Sequence, residues 1–260
     1  MFKISLIPAF KDNYIWLLTL GSRAFVVDPG DAAPVLARLE ADGLWLEGIL
    51  ITHHHADHQG GVAELKARYQ PVVFTPAKES ITGSTHALSG GESIEVLGQT
   101  LQVIAVPGHT LGHLAYYAPG ALFCGDTLFG AGCGRLFEGT PAQMLASLAC
   151  ISRLPDATLI YCAHEYTEIN LRFAQAVEPE NLALQQRVLK VAALRADGLP
   201  SVPSTLAEEK ASNPFLRCAE PAVIEAGLQH AATHGDSLLA TVNRSNEAIF
   251  AAIRGWRNNF

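Results

Sequence analysis

The sequence predicts an α+β layered sandwich, two sheets packed face to face with helices outside, followed by a small helical region. Three observations predict it. Short β-branched runs separated by turns fill the first two-thirds of the 260 residues. The strands come mostly in pairs with helices between groups of pairs, unlike the regular alternation of a doubly wound sheet. After about residue 165 the strand pattern gives way to helical periodicity.

Taken in order, residues 2–7, 14–20 and 24–28 read as strands, with Gly21-Ser22 turning the chain between the last two, so the start is a meander. A helix over 32–41 leads to a strand at 48–51, then Thr52 and a histidine cluster, and helical spacing resumes over 60–69. Further strands are predicted at 72–74, 93–97, 101–106, 114–117, 121–124 and 158–162, with a helix at 141–154. Then come helices at 167–177, stopped by Glu178-Pro179, and at 181–196, ended by Asp197-Gly198. Thr205-Leu206-Ala207-Glu208 is a capping-box start for a third, and 245–256 is a last amphipathic helix. The expected organisation is a layered domain over 1–166 and a helical domain over 167–260.

Composition narrows the function. About half the residues are apolar and 17% are charged, the balance of a folded globular protein. A net charge of −7 argues against a nucleic-acid partner, since phosphate binding shows as a basic excess. No apolar run approaches the ~20 residues of a membrane helix, and Lys11-Asp12-Asn13 breaks the early run that a signal peptide would need. A cytoplasmic monomer is expected. Cys124, Cys133, Cys150, Cys162 and Cys218 are odd in number, scattered and never paired as Cys-x-x-Cys, so they are expected as reduced thiols.

The chemistry is concentrated in His53-His54-His55-Ala56-Asp57-His58. In an extended segment side chains alternate, so His53 and His55 point the same way and grip one ion while His54 points elsewhere. Asp57 and His58, just past the strand where the chain turns toward Gly60-Gly61, reach a second ion. Core packing does not explain four such groups in six residues, because buried imidazoles and a carboxylate need partners. A solvated polar loop would explain them if they stood alone. They do not: His109, Asp126 and His164 each come after a predicted strand. Seven ligands suit two ions, with His53, His55 and His109 on one, Asp57, His58 and His164 on the other, and Asp126 bridging. Imidazole and carboxylate without thiolate favour two divalent ions, zinc first, with iron or manganese as alternatives. Three side chains and a bridge leave each ion an open position, the catalytic pattern.

With those residues in view the chain resembles the metallo-β-lactamase superfamily, whose His-x-His-x-Asp-His is present as His53 to His58, with Asp28 in Val27-Asp28-Pro29-Gly30 matching its early acidic motif. Within it, several segments are similar to the glyoxalase II (hydroxyacylglutathione hydrolase) family. They are Pro107-Gly108-His109-Thr110, Gly125-Asp126-Thr127-Leu128-Phe129, Gly132-Cys133-Gly134-Arg135, Glu138-Gly139-Thr140, His164-Glu165-Tyr166-Thr167 and Asn213-Pro214-Phe215-Leu216-Arg217. The resemblance implies a four-layer αββα sandwich and hydrolysis of the thioester S-D-lactoylglutathione to glutathione and D-lactate, the second step of methylglyoxal detoxification. It implies a glutathione site drawing on Arg135, Tyr166, Arg254 and Arg257, with Phe137 where some members carry a tyrosine. Independently, Arg254 and Arg257 are i and i+3 on one helical face, and two guanidiniums suit an anion with two carboxylates.

The mechanism expected from these residues is attack on the thioester carbonyl by a hydroxide formed where two ions lower the pKa of a shared water to about 7, with Asp57 and Asp126 as the catalytic carboxylates. Asp28 is expected to hold a ligand histidine by its other nitrogen, the competing role being a turn-forming Asp-Pro-Gly. His113 is a candidate for the same kind of support, whereas His86, His230 and His234 read as surface residues. Rival readings are a lactonase or β-lactamase, a one-iron persulfide dioxygenase, a nuclease relative, and a metal-binding module without turnover. The seven-ligand set counts against the dioxygenase, and the acidic balance counts against the nuclease.

Overall fold

The computed structural model describes residues 2–234 and 244–260. The opening meander forms because its apolar runs end in left-handed backbone. Phe10 at φ 50° turns the chain between β1 (Lys3–Ala9) and β2 (Asn13–Leu20), and Gly21 at φ 60° turns it before β3 (Arg23–Val27). Asp31 caps α1 (Ala32–Ala41) by accepting from Ala33 N at 2.9 Å, and α1 carries the chain back to β4 (Trp45–Leu50), parallel to β3. A second crossover, α2 (Ala56–Gln59) and α3 (Val62–Tyr69), leads to β5 (Val72–Pro76), and β6 (His86–Leu88) completes a sheet in the order β1-β2-β3-β4-β5-β6.

The second sheet has the order β14-β13-β10-β9-β8-β7. It comprises β7 (Ser93–Val96), β8 (Gln99–Ala105), β9 (Leu114–Ala118), β10 (Ala121–Gly125), β13 (Leu159–Cys162) and β14 (Ser204–Thr205), with the hairpin of β11 (Leu128–Phe129) and β12 (Gly132–Cys133) beside it. β10 and β13 are parallel, joined through α4 (Pro141–Ile151). That helix starts sharply: Thr140 and Gln143 form a capping box and Pro141 opens the first turn.

Alternation along β2 makes the layers. Trp16 and Leu18 join Val103, Tyr116, Leu122 and Ile160 of the second sheet in one core, while Ile15 and Leu17 pack with Val35 and Leu39 of α1 and Leu65 of α3 in another. Burial on both faces explains the unbroken apolar run of β2. Met144, Leu148 and Ile151 of α4 cover the far side of the second sheet. The layers are therefore helix, sheet, sheet, helix: the metallo-β-lactamase sandwich expected from the resemblance.

The rest of the chain is α5 (Thr167–Val177), α6 (Leu182–Ala196), α7 (Leu206–Ser212), a 3-10 turn at Pro214–Leu216, α8 (Pro221–His234) and α9 (Asn246–Asn258). The sequence reading did not include β6, β11, β12 or α8, and three further details differ from it. Strands do not stop at residue 165, because β14 pairs antiparallel with β13; two residues are too few to show alternation. Asp57 and His58 sit on the single helical turn α2 rather than in a loop, again too short for a periodic signal. His230 is half-buried, its ring stacked on Trp256 at 4.3 Å, and not a plain surface residue. The side chain of His234 lies outside the described residues. The five cysteines are unpaired, and no helix among the described residues is long and apolar enough to cross a membrane.

Candidate metal centre

The seven nominated side chains stand at one end of the sandwich, where β4, β8, β10 and β13 stop. Strands aligned in neighbouring sheets deliver their C-terminal ends to the same edge, so residues far apart in sequence meet there. Gly125 at the end of β10 is required by the crowding: its φ is 48°, and a Cβ would lie 2.3 Å from Thr52 Oγ1. It sets Asp126 between the histidines.

Two groups of donor atoms converge. His53 Nε2 and His109 Nε2 lie 3.0 and 3.1 Å from His55 Nδ1. His58 Nε2 and His164 Nε2 lie 3.5 and 3.4 Å from Asp57 Oδ2. Asp126 spans them, with Oδ2 3.4 Å from His109 Nε2 and Oδ1 3.4 Å from both His58 Nε2 and His164 Nε2. A tetrahedral site with bonds of ~2.1 Å has edges of ~3.4 Å, so the spacings fit ions at the centre of each group. His58 Nε2 and Asp126 Oδ1 are buried and, among the described residues, have no hydrogen-bond partner. Buried polar atoms are rarely left so, and a metal ion would satisfy both. The clusters are consistent with a binuclear metal site.

The far sides of the rings assign which nitrogen is free. His58 Nδ1 donates to Asp28 Oδ2 at 3.0 Å, His164 Nδ1 to Asp12 Oδ1 at 3.0 Å and His109 Nδ1 to the Arg135 carbonyl at 2.7 Å. His53 Nδ1 donates to Thr52 Oγ1 at 3.1 Å, which itself donates to Asp28 Oδ2 at 2.7 Å. Each bond leaves Nε2 with a lone pair facing inward. Asn13 Nδ2 donates to Asp57 Oδ2 at 3.0 Å.

The electrostatics are divided. Burial and neighbouring imidazoles hold His53 well below the usual histidine range, and His55 and His109 are also lowered, burial being the main cause. Burial opposes charge on His164 as well, but the carboxylates of Asp126, Asp57 and Asp12 overcome it and push it up to about 11. For Asp126 burial raises, yet His58, His164 and His109 together depress its carboxyl far below the ordinary range. Both carboxylates of the centre, Asp57 and Asp126, remain anionic.

Beside this centre lies a cavity of about 210 Å³ lined by Phe129, Cys133, Arg135, Tyr166, Asn170, Arg254, Arg257 and Asn258. Four of the five side chains nominated for substrate are therefore brought together. Tyr166 lies flat on His164, with ring centroids 4.6 Å apart, and so joins cavity to metal centre. Arg254 is buried, its Nη1 donating to the Cys133 carbonyl and its Nη2 to Asn258 Oδ1, both at 3.0 Å. Arg257 Nη2 donates to Asn170 Oδ1 at 3.3 Å.

A family model described as Metallo-beta-lactamase superfamily matches residues 10–164, and one described as Hydroxyacylglutathione hydrolase C-terminus matches 165–260. Along its whole length the chain is 77% identical to the whole of a hydroxyacylglutathione hydrolase from Dechloromonas aromatica (strain RCB). The chain belongs to the hydroxyacylglutathione hydrolase family. ETHE1 from Myxococcus xanthus shares the fold, with a TM-score of 0.64 at 24% identity over 99% of this chain and 98% of its own. TTHA1623, solved in a di-iron-bound form, matches 58% of this chain and 87% of its own at 30% identity and a TM-score of 0.51.

Within this hydroxyacylglutathione hydrolase family member, Phe137 and His113 are placed differently from the sequence reading, while Asp28 keeps the role expected of it. Phe137 is 60% exposed and outside the cavity; its ring edge meets His55 and His109 at centroid distances of 5.4 and 5.3 Å. His113 supports the centre through backbone rather than through a ligand ring: Asp126 N donates to its Nε2 at 3.2 Å, and it stacks on His53 at 4.7 Å. Asp28 takes both roles weighed for it, turning the chain at φ 52° and holding His58. Sequence reasoning missed Asp12, Asn13 and Asn170. The break that Lys11-Asp12-Asn13 makes in an apolar run was the available signal for the first two.

Proposed function

We propose that the protein hydrolyses S-2-hydroxyacylglutathione thioesters, S-D-lactoylglutathione among them, to glutathione and the 2-hydroxy acid. With that substrate the acid is D-lactate, and the step is the second of methylglyoxal detoxification. The observation that carries the reading is Asp126 standing between two three-donor groups, one of which stacks through His164 and Tyr166 onto an arginine-lined cavity.

On this reading His53, His55 and His109 hold one divalent ion and Asp57, His58 and His164 hold a second, with Asp126 shared. Divalent ions held there would supply an activated water and a Lewis acid for the thioester carbonyl. The chain's own residues do the rest. Asp57 and Asp126 supply the fixed negative charge that holds the ions together, and their depressed pKa values keep it in place at neutral pH. Arg135, Arg254 and Arg257 offer three guanidiniums to the two glutathione carboxylates, and Arg254 is pre-oriented by Cys133 and Asn258. The Tyr166 ring walls the passage between anion grip and ions. The leaving thiolate, with a pKa near ~8.5, needs no proton from an acid, which fits the lack of a nominated acid. Residues 1–166 thus carry the metal chemistry and 167–260 contribute Arg254 and Arg257.

Zinc is the first expectation for a histidine and carboxylate set without thiolate, and iron or manganese suits the same donors. The di-iron form of TTHA1623 supports iron as a real alternative.

The test is turnover of S-D-lactoylglutathione by the purified protein, with metal content measured on the same preparation and parallel samples treated with chelator or carrying Asp126→Ala. Chelator-sensitive turnover, about two ions per chain and its loss in Asp126→Ala are the expected results. No turnover at full metal occupancy would overturn the substrate assignment, and lactones and other esters would then be assayed.

A further inference from the structure

Behind the His53, His55 and His109 group lies a carboxylate that is not a member of it. Glu79 follows β5, and its side chain is 3% exposed. Oε2 accepts from His54 Nδ1 at 3.0 Å, while Oε1 accepts from Gly112 N at 3.0 Å and from Thr110 Oγ1. Gly112 makes the approach possible: a Cβ there would stand 2.4 Å from Glu79 Cγ. The other nitrogen of His54, Nε2, is 3.3 Å from Glu138 Oε1, and Glu138 Oε2 accepts from Leu111 N at 3.0 Å. The His109 carbonyl in turn accepts from Phe137 N at 3.2 Å.

Three loops are thereby bolted together, carrying His53 to His58, His109 to His113, and Arg135 to Gly139. The donor atoms of His54, Glu79 and Glu138 lie within 4.8 Å of one another, as in a metal site. Yet both His54 nitrogens and both Glu79 oxygens already face partners, which makes the cluster a clasp rather than a third ion site. Glu79 bonds none of the residues that hold the second donor group, where Asn13 holds Asp57, Asp28 holds His58 and Asp12 holds His164; Asp28 also anchors Thr52 behind His53.

We propose that Glu79, acting through His54, Thr110 and Gly112, is a positioning residue that sets the affinity of the His53, His55 and His109 group for its ion and leaves the other group unaffected. This rests on the two-ion reading above. A buried carboxylate taking donors from two ligand-bearing loops fixes their separation, and misplaced donors cost affinity for the ion between them. Residues that orient metal ligands typically contribute ~10–100-fold in affinity or activity.

The experiment is a competitive cobalt titration of the metal-free full-length chain, read by visible absorption and by metal content, for wild type, Glu79→Ala, Glu79→Gln and Thr110→Val. In Glu79→Ala one of the two affinities is expected to fall by ~10–100-fold while the other stays, with KM unchanged and kcat restored by excess metal. Glu79→Gln keeps an oxygen toward Thr110 and Gly112 and is expected to recover most of the affinity. Thr110→Val removes one donor at nearly constant volume and is expected to weaken the same ion by a few-fold, so the proposal stands or falls on it if Glu79→Ala does not fold. Equal weakening of both ions, no weakening, or a third ion lost from Glu79→Ala would each overturn it. Wild type that binds two ions but turns over no glutathione thioester would overturn the substrate reading alone.

Discussion

Tyr166 lies parallel to His164, with centroids 4.6 Å and planes 5° apart. A ring that lines the arginine cavity therefore also packs on a donor of the second cluster, and cavity and cluster share one contact. Stacked aromatic pairs contribute ~0.5–1.5 kcal/mol beyond their burial. Tyr166→Ala is expected to raise KM for S-D-lactoylglutathione and to weaken retention of one ion by several-fold. Tyr166→Phe keeps the stack and is expected to retain metal as wild type. Equal metal loss in both variants would show that the hydroxyl, not the stack, supports His164.

Asp12 reaches His164 Nδ1 from the turn between β1 and β2. Asp12→Ala removes the acceptor that fixes the ring and its tautomer, and a ~10–100-fold loss in affinity of the second group for its ion is expected. Asp12→Asn keeps an acceptor and should lose less. Metal competition titrations of the two variants would check the order, and Asp12→Asn behaving as badly as Asp12→Ala would assign the effect to charge.

The metal-free protein should be most stable near pH ~6.5. The folded pKa of His164 is pushed up to about 11, so the stability it contributes is complete below its unfolded value of ~6.5 and is lost as pH rises toward 11. His53 and His113 are held well below the ordinary range, chiefly by burial, so the unfolded chain binds more protons below pH ~6.5 and stability falls on that side too. Bound ions displace the His164 proton and should flatten the alkaline limb. Thermal melts of chelator-treated and metal-loaded protein between pH 5 and 10 give the comparison, and a flat alkaline limb without metal would refute it.

Glu209 on α7 is fully buried and takes donors from Arg187, Ser204 at 2.6 Å, Ala131 N at 2.9 Å and Asn213 at 3.1 Å. It ties α6, β14 and the β11–β12 turn together. Glu209→Ala leaves the buried Arg187 charge without its partner, a change that typically costs ~3–5 kcal/mol. Urea denaturation should show that loss, and a cost under ~1 kcal/mol would mean that water reaches Arg187.

Much of the centre was legible because its ligands lie where strands end. His53 to His58, His109, Asp126 and His164 each follow an apolar run, and that run is a local signal. Arg254 and Arg257 were named by the resemblance, and their helical spacing supported them as a pair. Asp12, Asn13 and Glu79 were not, since their partners lie 152, 44 and 25 or more residues away and a single polar residue in a turn has no period. Phe137 was named because the resemblance places a tyrosine there in some members; its ring stands against His55 and His109, outside the arginine-lined cavity.

The sequence by itself determined the layered sandwich, the strand-end placement of seven candidate metal ligands and their thiol-free chemistry, because alternation, helical period and ligand type are properties of adjacent residues. Only the tertiary structure decided which nitrogen each histidine turns inward, which carboxylate stands behind it and that Tyr166 joins cavity to centre. Those choices depend on packing that brings residues up to 152 positions apart to hydrogen-bonding distance.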